Sequence, residues 1–360
     1  MKRGDLYGAG VFLLAAAAVF LLPRFISDFR AQQFAYVGIY FIALLGLNVL
    51  TGYTGQISLG HGAFMAIGGY TTAILISQSD PPLEIFGHHF SSDLKDIWTI
   101  PIAGLVAGVV GFLFGFPALR LTGLYLALAT FAVAVAMPGL IKYDRFASFT
   151  GGGGGINLFD SAARTRPHET TDPITFETVS EPVRVLGLEI SSFNEWLYYL
   201  CWTIALALFV VAWLLLRGRA GRSFRAVRDS ELAAASSGVN LATYKTLAFG
   251  ISAFYAGVAG SLLALATTFV NPDTYPITLS IFLLVGVVVG GLGSLWPLVF
   301  GAIFIQFLPL WAQEVSKAQG APAVVYGVVL ILVMIALPGG AGGLIRRLQL
   351  LTRRGYHRGR

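Results

Sequence analysis

The segment RGRAGRSFRAVRDSELAAASSGVNLATYK, Arg217–Lys245, is the basic stretch around which this chain is organised. Its first half carries five arginines, and its second half is a run of small residues that ends at Gly238. Apolar stretches of membrane-spanning length flank it at 196–216 and 246–269. A basic loop between two spans is typical of the cytoplasmic side of a membrane protein. The pattern predicts a helical surface there that contacts a soluble partner.

The composition is that of an integral membrane protein. The chain has 360 residues, of which 56% are hydrophobic and 12% charged, and its mean hydropathy is +0.74. Soluble domains average about 25% charged residues. The apolar runs are continuous rather than alternating, which excludes a membrane β-barrel. We therefore predict an all-α, polytopic transmembrane helical bundle in which the 43 glycines allow close helix packing.

Ten apolar segments predict about ten spans. Gly290–Ser294, with the sequence GGLGS, indicates a turn between the eighth and the ninth. Several segments are short, which favours broken or re-entrant helices. The first segment lacks a small-residue cleavage site, so we expect a span or signal anchor rather than a cleaved peptide. The ten segments are 6–22, 33–50, 60–77, 99–119, 122–142, 196–216, 246–269, 276–291, 295–312 and 323–338.

The charge distribution predicts that both termini are cytoplasmic. With ten spans, most of the 24 lysines and arginines then lie inside, chiefly in 217–245 and 346–360. This is the distribution that the positive-inside rule requires. The acidic loop 143–195 is expected to be external, with a possible small hairpin within Pro173–Val185. Residues 1–360 are expected to form a single transmembrane domain, because this loop is too short to fold alone.

Polar residues at membrane depth mark the stretch Asn48–Tyr70. Such a stretch cannot face lipid, because its polar groups need partners inside the protein. We predict that it lines a translocation path through an irregular helix; the alternative is a hydrogen-bonded seam between helices. For His61 a structural role is favoured over a proton relay. The expected path residues are Asn48, Thr54, Gln56, Ser58, Gly60, His61, Gly62 and Gly69.

The basic segment is predicted to dock in a groove of its partner, because the short side chains after Arg228 leave room for one. The alternative is an ordinary loop with solvated arginines. Within one helix, Arg225 would pair with Asp229, and Arg228 with Glu231.

Motifs for chemistry are missing from the sequence. It contains no GxxxxGK[ST] phosphate loop, no HExxH and no GxSxG. The single cysteine, Cys201, forms no disulfide within the chain. Acidic residues are absent from the interiors of the spans, although carriers driven by protons or sodium often need them. The chain is therefore predicted to be no enzyme, to need no cofactor and to take its energy from elsewhere.

Three blocks resemble one known family. They are GLNVLTGYTGQISLGHGAFMAIGGY at 46–70, GRSFRAVRDSELAAASSGVNLATYKTLAFGISAFYAGVAGSL at 221–262, and NPDTYPITLSIFLLVGVVVGGLGSLWPLVFGA at 271–302. The Gly-rich TGGGGGI at 150–156 also fits. Over nearly its full length the chain resembles the LivM-like permeases of bacterial branched-chain amino acid ABC transporters. The resemblance implies the ABC importer permease fold and a place in the bacterial inner membrane.

The resemblance also implies partners: a second, homologous permease, two cytoplasmic ATPases, an external solute-binding protein and membrane lipid, but no nucleic acid. In such permeases the stretch matching Arg222–Gly238 docks in an ATPase cleft, so 217–245 would be a coupling segment. The family's E-A-A-x-x-x-G signature is altered, since Leu232 stands at the expected Glu position. The implied coupling residues are Arg222, Phe224, Arg225, Arg228, Asp229, Glu231, Ala233, Ala234 and Gly238.

Import of branched-chain or other apolar amino acids, by ATP-driven alternating access, is the function that the resemblance implies. Related permeases import urea or short amides, so that cargo is an alternative. A secondary transporter is the alternative of another class, and the absence of buried acidic residues argues against it. A membrane enzyme would need clustered His, Asp or Glu, whereas the five histidines are scattered.

Overall fold

A computed structural model gives the fold. It describes residue 17 and residues 19–77, 83–85, 88–90, 96–121, 123–158, 168–171, 178–181, 183–185, 188–190, 192–315, 321–336 and 339–343. The chain termini and most of the first predicted span lie outside the described residues. The prediction of ten spans with both termini on one side is therefore not tested by the fold.

Helices make up most of the described chain. They are α1 Asp28–Asn48, α2 His61–Ile76, α3 Asp96–Ala118, α4 Leu124–Lys142, α5 Asp144–Thr150, α6 Phe193–Arg217, α7 Arg219–Asp229, α8 Glu231–Ser236, α9 Leu241–Thr267, α10 Ile277–Gly290, α11 Leu298–Val315 and α12 Ala321–Ala336. A π-helical turn, Val49–Tyr53, extends α1. Single 3₁₀ turns lie at Leu22–Phe25 and Pro272–Thr274.

The helices follow the predicted spans closely. Each predicted span from residue 33 onward contains one helix, and α10 and α11 are separated by the predicted turn. Of the described helices, six are long and apolar enough to cross a membrane, while α2 and α11 are shorter apolar helices. The predicted helical membrane bundle is confirmed.

The strands are short and pair in twos. Antiparallel pairs join β1 Leu83–Ile85 to β2 His88–Phe90, β4 His168–Thr171 to β5 Thr178–Glu181, and β6 Val183–Val185 to β7 Leu188–Ile190. The fourth pair joins β3 Ile156–Asn157, just after the glycine run, to β8 Phe269–Val270 at the end of α9. Gly151 and Gly155 in that run have φ of 71° and 73°, which side chains other than glycine rarely adopt.

Helix α9 forms the centre of the bundle and packs against α1, α2 and α3. Its 27 residues span about 40 Å at 1.5 Å per residue. Glycines allow the close approach. A Cβ at Gly68 of α2 would lie 2.1 Å from the carbonyl oxygen of Gly257 in α9, and one at Gly260 would lie 1.9 Å from the carbonyl oxygen of Met65. These two helices therefore touch backbone to backbone.

The loops collect at two opposite ends of α9. The turn that follows α1, the coupling segment and the α10–α11 turn meet at one end, where Arg228 contacts both Gly52 and Gly293. At the other end, the N-terminus of α1 binds the N-terminus of α6 through Asp28 and Asn194, and β3 pairs with β8. We call these the coupling end and the far end.

Candidate coupling surface and buried polar seam

Helix α7 lies against the bundle with one apolar face. Gly221, Phe224 and Val227, spaced by three residues, are buried, and the Phe224 ring packs edge-on against Tyr244 at 6.1 Å. Arg222 is exposed on the other side of the helix. Phe224 therefore anchors the coupling segment to its own subunit. Its side chain is fully buried against its own subunit, and its implied role in ATPase coupling stays a prediction.

Helix α8 is a short helix that is capped by hydrogen bonds at both ends. The Ser230 hydroxyl accepts a hydrogen bond from the backbone N–H of Ala233 at its start. Gly238, with φ of 82°, ends it, and the N–H of Val239 bonds back to the carbonyl of Ala234. This is the left-handed glycine cap expected where a helix must stop.

The outward face of α8 is made of short or apolar side chains. Leu232 is 84% exposed, and Ala233, Ala235 and Gly238 are exposed as well. Ala234 is only 2% exposed and faces its own subunit. Helix α8 turns this residue toward the bundle, and the implied coupling contact through Ala234 stays a prediction. Ala233 and Gly238 remain accessible, and a Cβ at Gly238 would meet nothing within 4 Å.

The ion pairs of the segment differ from the predicted ones. Asp229 lies 3.1 Å from Arg228, and Glu231 lies 2.6 Å from Lys245. The predicted pairing of Arg228 with Glu231 assumed one continuous helix. Ser230, at φ −163° and ψ 116°, interrupts it and directs Glu231 toward α9. Lys245 is only 8% exposed, so this pair fastens α8 to the first turn of α9.

Arg228 connects the coupling segment to the turn after α1. One of its terminal guanidinium nitrogens donates a hydrogen bond to the Gly52 carbonyl oxygen at 3.0 Å. Hydrogen bonds from a charged donor are stronger than neutral ones. Gly55 lies against the same side chain, and with φ of 73° it suits glycine alone. The chain therefore approaches Arg228 closely from both sides.

Asn48 joins that turn to the α10–α11 turn. Its side-chain amide donates to the Ser294 carbonyl at 3.0 Å and accepts from the Gly293 N–H at 2.9 Å. Asn48 is fully buried, and a Cβ at Gly52 would lie 2.0 Å from its Oδ1. The residue that was predicted to line a path thus holds two turns together.

Two more polar residues after α1, Thr54 and Ser58, find hydrogen-bond partners within the subunit, while the side-chain amide nitrogen of Gln56 finds none in the described part of the chain. The Thr54 hydroxyl donates to the Leu50 carbonyl, and the Ser58 hydroxyl accepts from the Gly60 N–H at 3.3 Å. Gln56 is 8% exposed, and its side-chain nitrogen has no partner among the described residues. Gln56 is one of the residues lining a cavity of about 150 Å³, which lies between this turn, the α3–α4 turn and the coupling segment.

The first turns of α2 continue this series of buried polar contacts, and we call the whole stretch, Asn48–Tyr70, the seam. The His61 Nε2 lies 3.0 Å from the Ala43 carbonyl, the geometry of a donated bond. The Gly62 N–H donates to the Ser280 hydroxyl at 2.9 Å. A Cβ at Gly69 would overlap the hydroxyl of Tyr275.

A Cβ at Gly60 would lie 2.9 Å from the carbonyl oxygen of Thr130. Every predicted path residue therefore contacts its own subunit, as expected for a packed seam. Their assignment to a translocation path stays a prediction.

Three residues of this region escaped the sequence reasoning: Lys245, Thr130 and Ser280. Thr130 accepts from the Leu59 N–H at 2.9 Å, and it is fully buried in α4. Lys245 stands alone near the start of an apolar span, and this position could have been used to predict a buried ion pair. A single threonine or serine in a span carries no comparable signal. Among the described residues, no group of three or more His, Cys, Asp or Glu could hold a metal ion.

Comparison with known proteins identifies the family. The family described as branched-chain amino acid transport system / permease component matches residues 30–337. The high-affinity branched-chain amino acid transport system permease protein LivM of Escherichia coli is 32% identical over 94% of this chain and 75% of its own. The Salmonella typhimurium protein of the same name is 31% identical over the same shares. No solved structure matches the chain.

The matched region contains every helix from α1 to α12 except the first two residues of α1, and with it the coupling segment and the buried seam. A multi-pass helical bundle that lacks catalytic motifs is what a permease requires. The chain thus belongs to the permease family of branched-chain amino acid ABC transport systems, and it is a transport protein, not an enzyme.

Proposed function

We propose that this chain is the permease subunit of an ATP-driven importer that moves branched-chain or other apolar amino acids into the cell. The observation that carries the proposal is the outward face of α8. It presents Leu232, Ala233 and Gly238 at the end of a helix pair that is fastened to the bundle. An apolar, small-residue surface of this kind fits a groove in another protein.

The contacts beneath that surface provide a route for movement. A displacement of α7 reaches the turn after α1 through the hydrogen bond from Arg228 to Gly52. A displacement of α8 reaches α9 through Glu231 and Lys245. Asn48 passes the first movement on to the α10–α11 turn. A partner that pushes the coupling segment would therefore act on three membrane helices at once, as alternating access requires.

The partners follow from the family. We propose that one of two cytoplasmic ATPases binds the α8 surface, that a homologous second permease packs beside this chain, and that an external binding protein delivers the cargo. The coupling end would then face the cytoplasm of a bacterial inner membrane, with both chain termini on that side. The positive-inside distribution of arginines supports this orientation. Lipid would cover the exposed apolar side chains of α3 and α12.

A charge placed on the outward face of α8 tests the proposal. Ala233→Glu brings a carboxylate to the docking surface, and burying an unpaired charge in a partner groove is strongly unfavourable. We expect the ATPases to be lost when the membrane complex is purified, or ATP hydrolysis to stop responding to the loaded binding protein. Arg219→Ala, on the exposed side of α7, is the matched control and should purify and couple normally.

Uptake into membrane vesicles supplies the second readout. Leucine uptake should require ATP and the binding protein, and Ala233→Glu should abolish it. Normal coupling in Ala233→Glu would show that α8 is not the docking surface. Uptake that continues without ATP but stops when the proton gradient is collapsed would contradict the importer mechanism itself.

A further inference from the structure

A cavity at the far end of the bundle has the size of a small-molecule site. It lies between α1, the C-terminal end of α9 and the start of α10, and its volume is about 510 Å³. Sites for small ligands fall between about 300 and 1,000 Å³. The coupling segment contacts the opposite end of α9, about 30 Å away at the helical rise of 1.5 Å per residue. The cavity is therefore separate from the coupling surface.

The lining of the cavity is polar at the mouth and apolar in depth. Asn271, Asp273 and Thr274 stand on the loop between α9 and α10, and because Asp273 is exposed we take this end as the mouth of the cavity. Leu263 and Phe282 lie one turn or more inside the helices on either side. Among the described lining residues, only Asp273 carries a charge. A cavity whose lining changes from polar to apolar with depth fits a molecule with one charged end and one apolar end.

Two tyrosines and a helix start complete the lining. Tyr36 and Tyr40, four residues apart, place their rings on the same face of α1. Thr278 lies in the first turn of α10, whose N-cap residue, Pro276, makes no side-chain cap hydrogen bond. The first N–H groups of a helix lack acceptors within it and attract carboxylates. The Leu279 N–H bonds to the Pro276 carbonyl at 3.0 Å, so the donors that this helix start can offer an anion beside Asp273 are the N–H groups of Ile277 and Thr278.

We propose that this cavity binds an apolar amino acid as a free zwitterion on its way through the permease. Asp273 pairs with the ammonium group, and the start of α10 receives the carboxylate. The aliphatic side chain lies between Leu263 and Phe282. The proposal rests on the proposed function, since it assigns a transient site to the same cargo. It also separates substrate contact from the seam after α1, which the sequence had suggested as the path.

Direct binding of leucine to the assembled complex tests the site. The complex is purified into lipid nanodiscs without the binding protein and dialysed against radiolabelled leucine. Asp273→Asn removes the partner of the ammonium group, so we expect leucine affinity to fall about tenfold or more, the size of one hydrogen bond to a charged group. Asp273→Glu, the conservative control, should retain most of the binding. Asp273 is exposed, so neither change is expected to disturb the fold.

Competition distinguishes the chemical classes of cargo. Isoleucine and valine should displace leucine from the complex, whereas urea and acetamide, which carry no charged groups, should not. Displacement by acetamide at the same concentration, together with unchanged leucine binding in Asp273→Asn, would overturn the amino acid assignment.

A size change in the deep part of the cavity gives an independent test. Phe282→Trp narrows the apolar end, so ATP-driven uptake of leucine should fall about tenfold relative to alanine, as expected for one or two methylene groups. Equal effects on both amino acids would overturn the site. Loss of the second permease from purified Phe282→Trp complex would also overturn it, because the cavity would then be a subunit contact.

The two proposals fail in different ways. If the unaltered complex shows no ATP-driven uptake, the importer function is wrong. If uptake is normal but insensitive to Asp273→Asn and Phe282→Trp, only the cavity assignment is wrong.

Discussion

Replacing Asn48 with alanine separates the two interpretations of the polar stretch after α1. Asn48 makes two hydrogen bonds to the α10–α11 turn and is fully buried. Without its side chain, the Gly293 N–H and the Ser294 carbonyl lose this partner. Losing the partner of a fully buried group costs about 1–3 kcal/mol, and these two groups are half-buried, so the lower part of that range applies to each. We therefore expect Asn48→Ala to lower the free energy of unfolding by about 2–4 kcal/mol, with the lower part of the range favoured if water enters.

The assay is heating of the detergent-solubilised complex followed by gel filtration. At about 2.1 cal/mol/K of unfolding entropy per residue, 1 kcal/mol shifts the midpoint of a 360-residue chain by about 1.3 °C, so a drop of roughly 3–5 °C is expected. Asn194→Ala is the matched control, because its side-chain bond to Asp28 lies in an exposed position at the far end. That change should shift the midpoint by much less.

Asn48→Asp sharpens the test. A carboxylate still accepts from the Gly293 N–H but cannot donate to the Ser294 carbonyl, against which it is repelled. Its complex should therefore be at least as heat-sensitive as Asn48→Ala. If both variants keep the stability of the control while leucine uptake is lost, the residue acts in transport and the seam interpretation is refuted.

The remaining predictions concern packing, the buried ion pair and topology. Gly68→Ala should prevent accumulation of folded complex, because its Cβ would stand 2.1 Å from a backbone carbonyl of α9, which cannot withdraw like a side chain. Glu231→Lys should weaken ATPase coupling by leaving two cations together, and combining it with Lys245→Glu should restore part of the stimulated hydrolysis. Cysteines at Gly153 and Ser236 should be labelled from opposite sides of the membrane, in a chain where Cys201 is replaced by alanine.

Each of these predictions has a contrary outcome. Gly139→Ala, where a Cβ meets nothing within 4 Å, should accumulate normally, and equal loss in both glycine variants would point to a general defect. An exchanged pair that couples no better than Glu231→Lys alone would show that the ion pair has no role in coupling. Labelling of both cysteines from one side would reject the topology.

The sequence predicted the local features of this protein and missed the distant ones. Apolar length located the helices, and the glycines at 291 and 293 marked the turn after α10, where both have positive φ. Helix phase within the coupling segment was misjudged, because the break at Ser230 rotates α8 relative to α7. A rotation of α8 by one residue about its axis decides whether the side chain of Ala233 or that of Ala234 is exposed to a partner.

Partners far apart in sequence could not be predicted either. Asn48 meets Ser294 across 246 positions, and Leu59 meets Thr130 across 71. A buried amide signals that some partner exists, but it does not say which. The sequence could therefore offer a path and a seam as alternatives for Asn48–Tyr70, and only the positions of α10 and α11 give these residues their contacts.

The backbone contact between α2 and α9 limits how this permease moves. Side chains at a helix interface can change rotamer and let helices slide. Gly68 and Gly260 have no side chain to move, and the main chains of α2 and α9 are already in contact at these residues. Small sliding between these two helices would force carbonyl groups into collision. The pair should therefore travel as one rigid body, with its hinges in the loops at the two ends. A cross-link between α2 and α9 would then leave transport intact, whereas one between α1 and α10 across the far-end cavity would stop it.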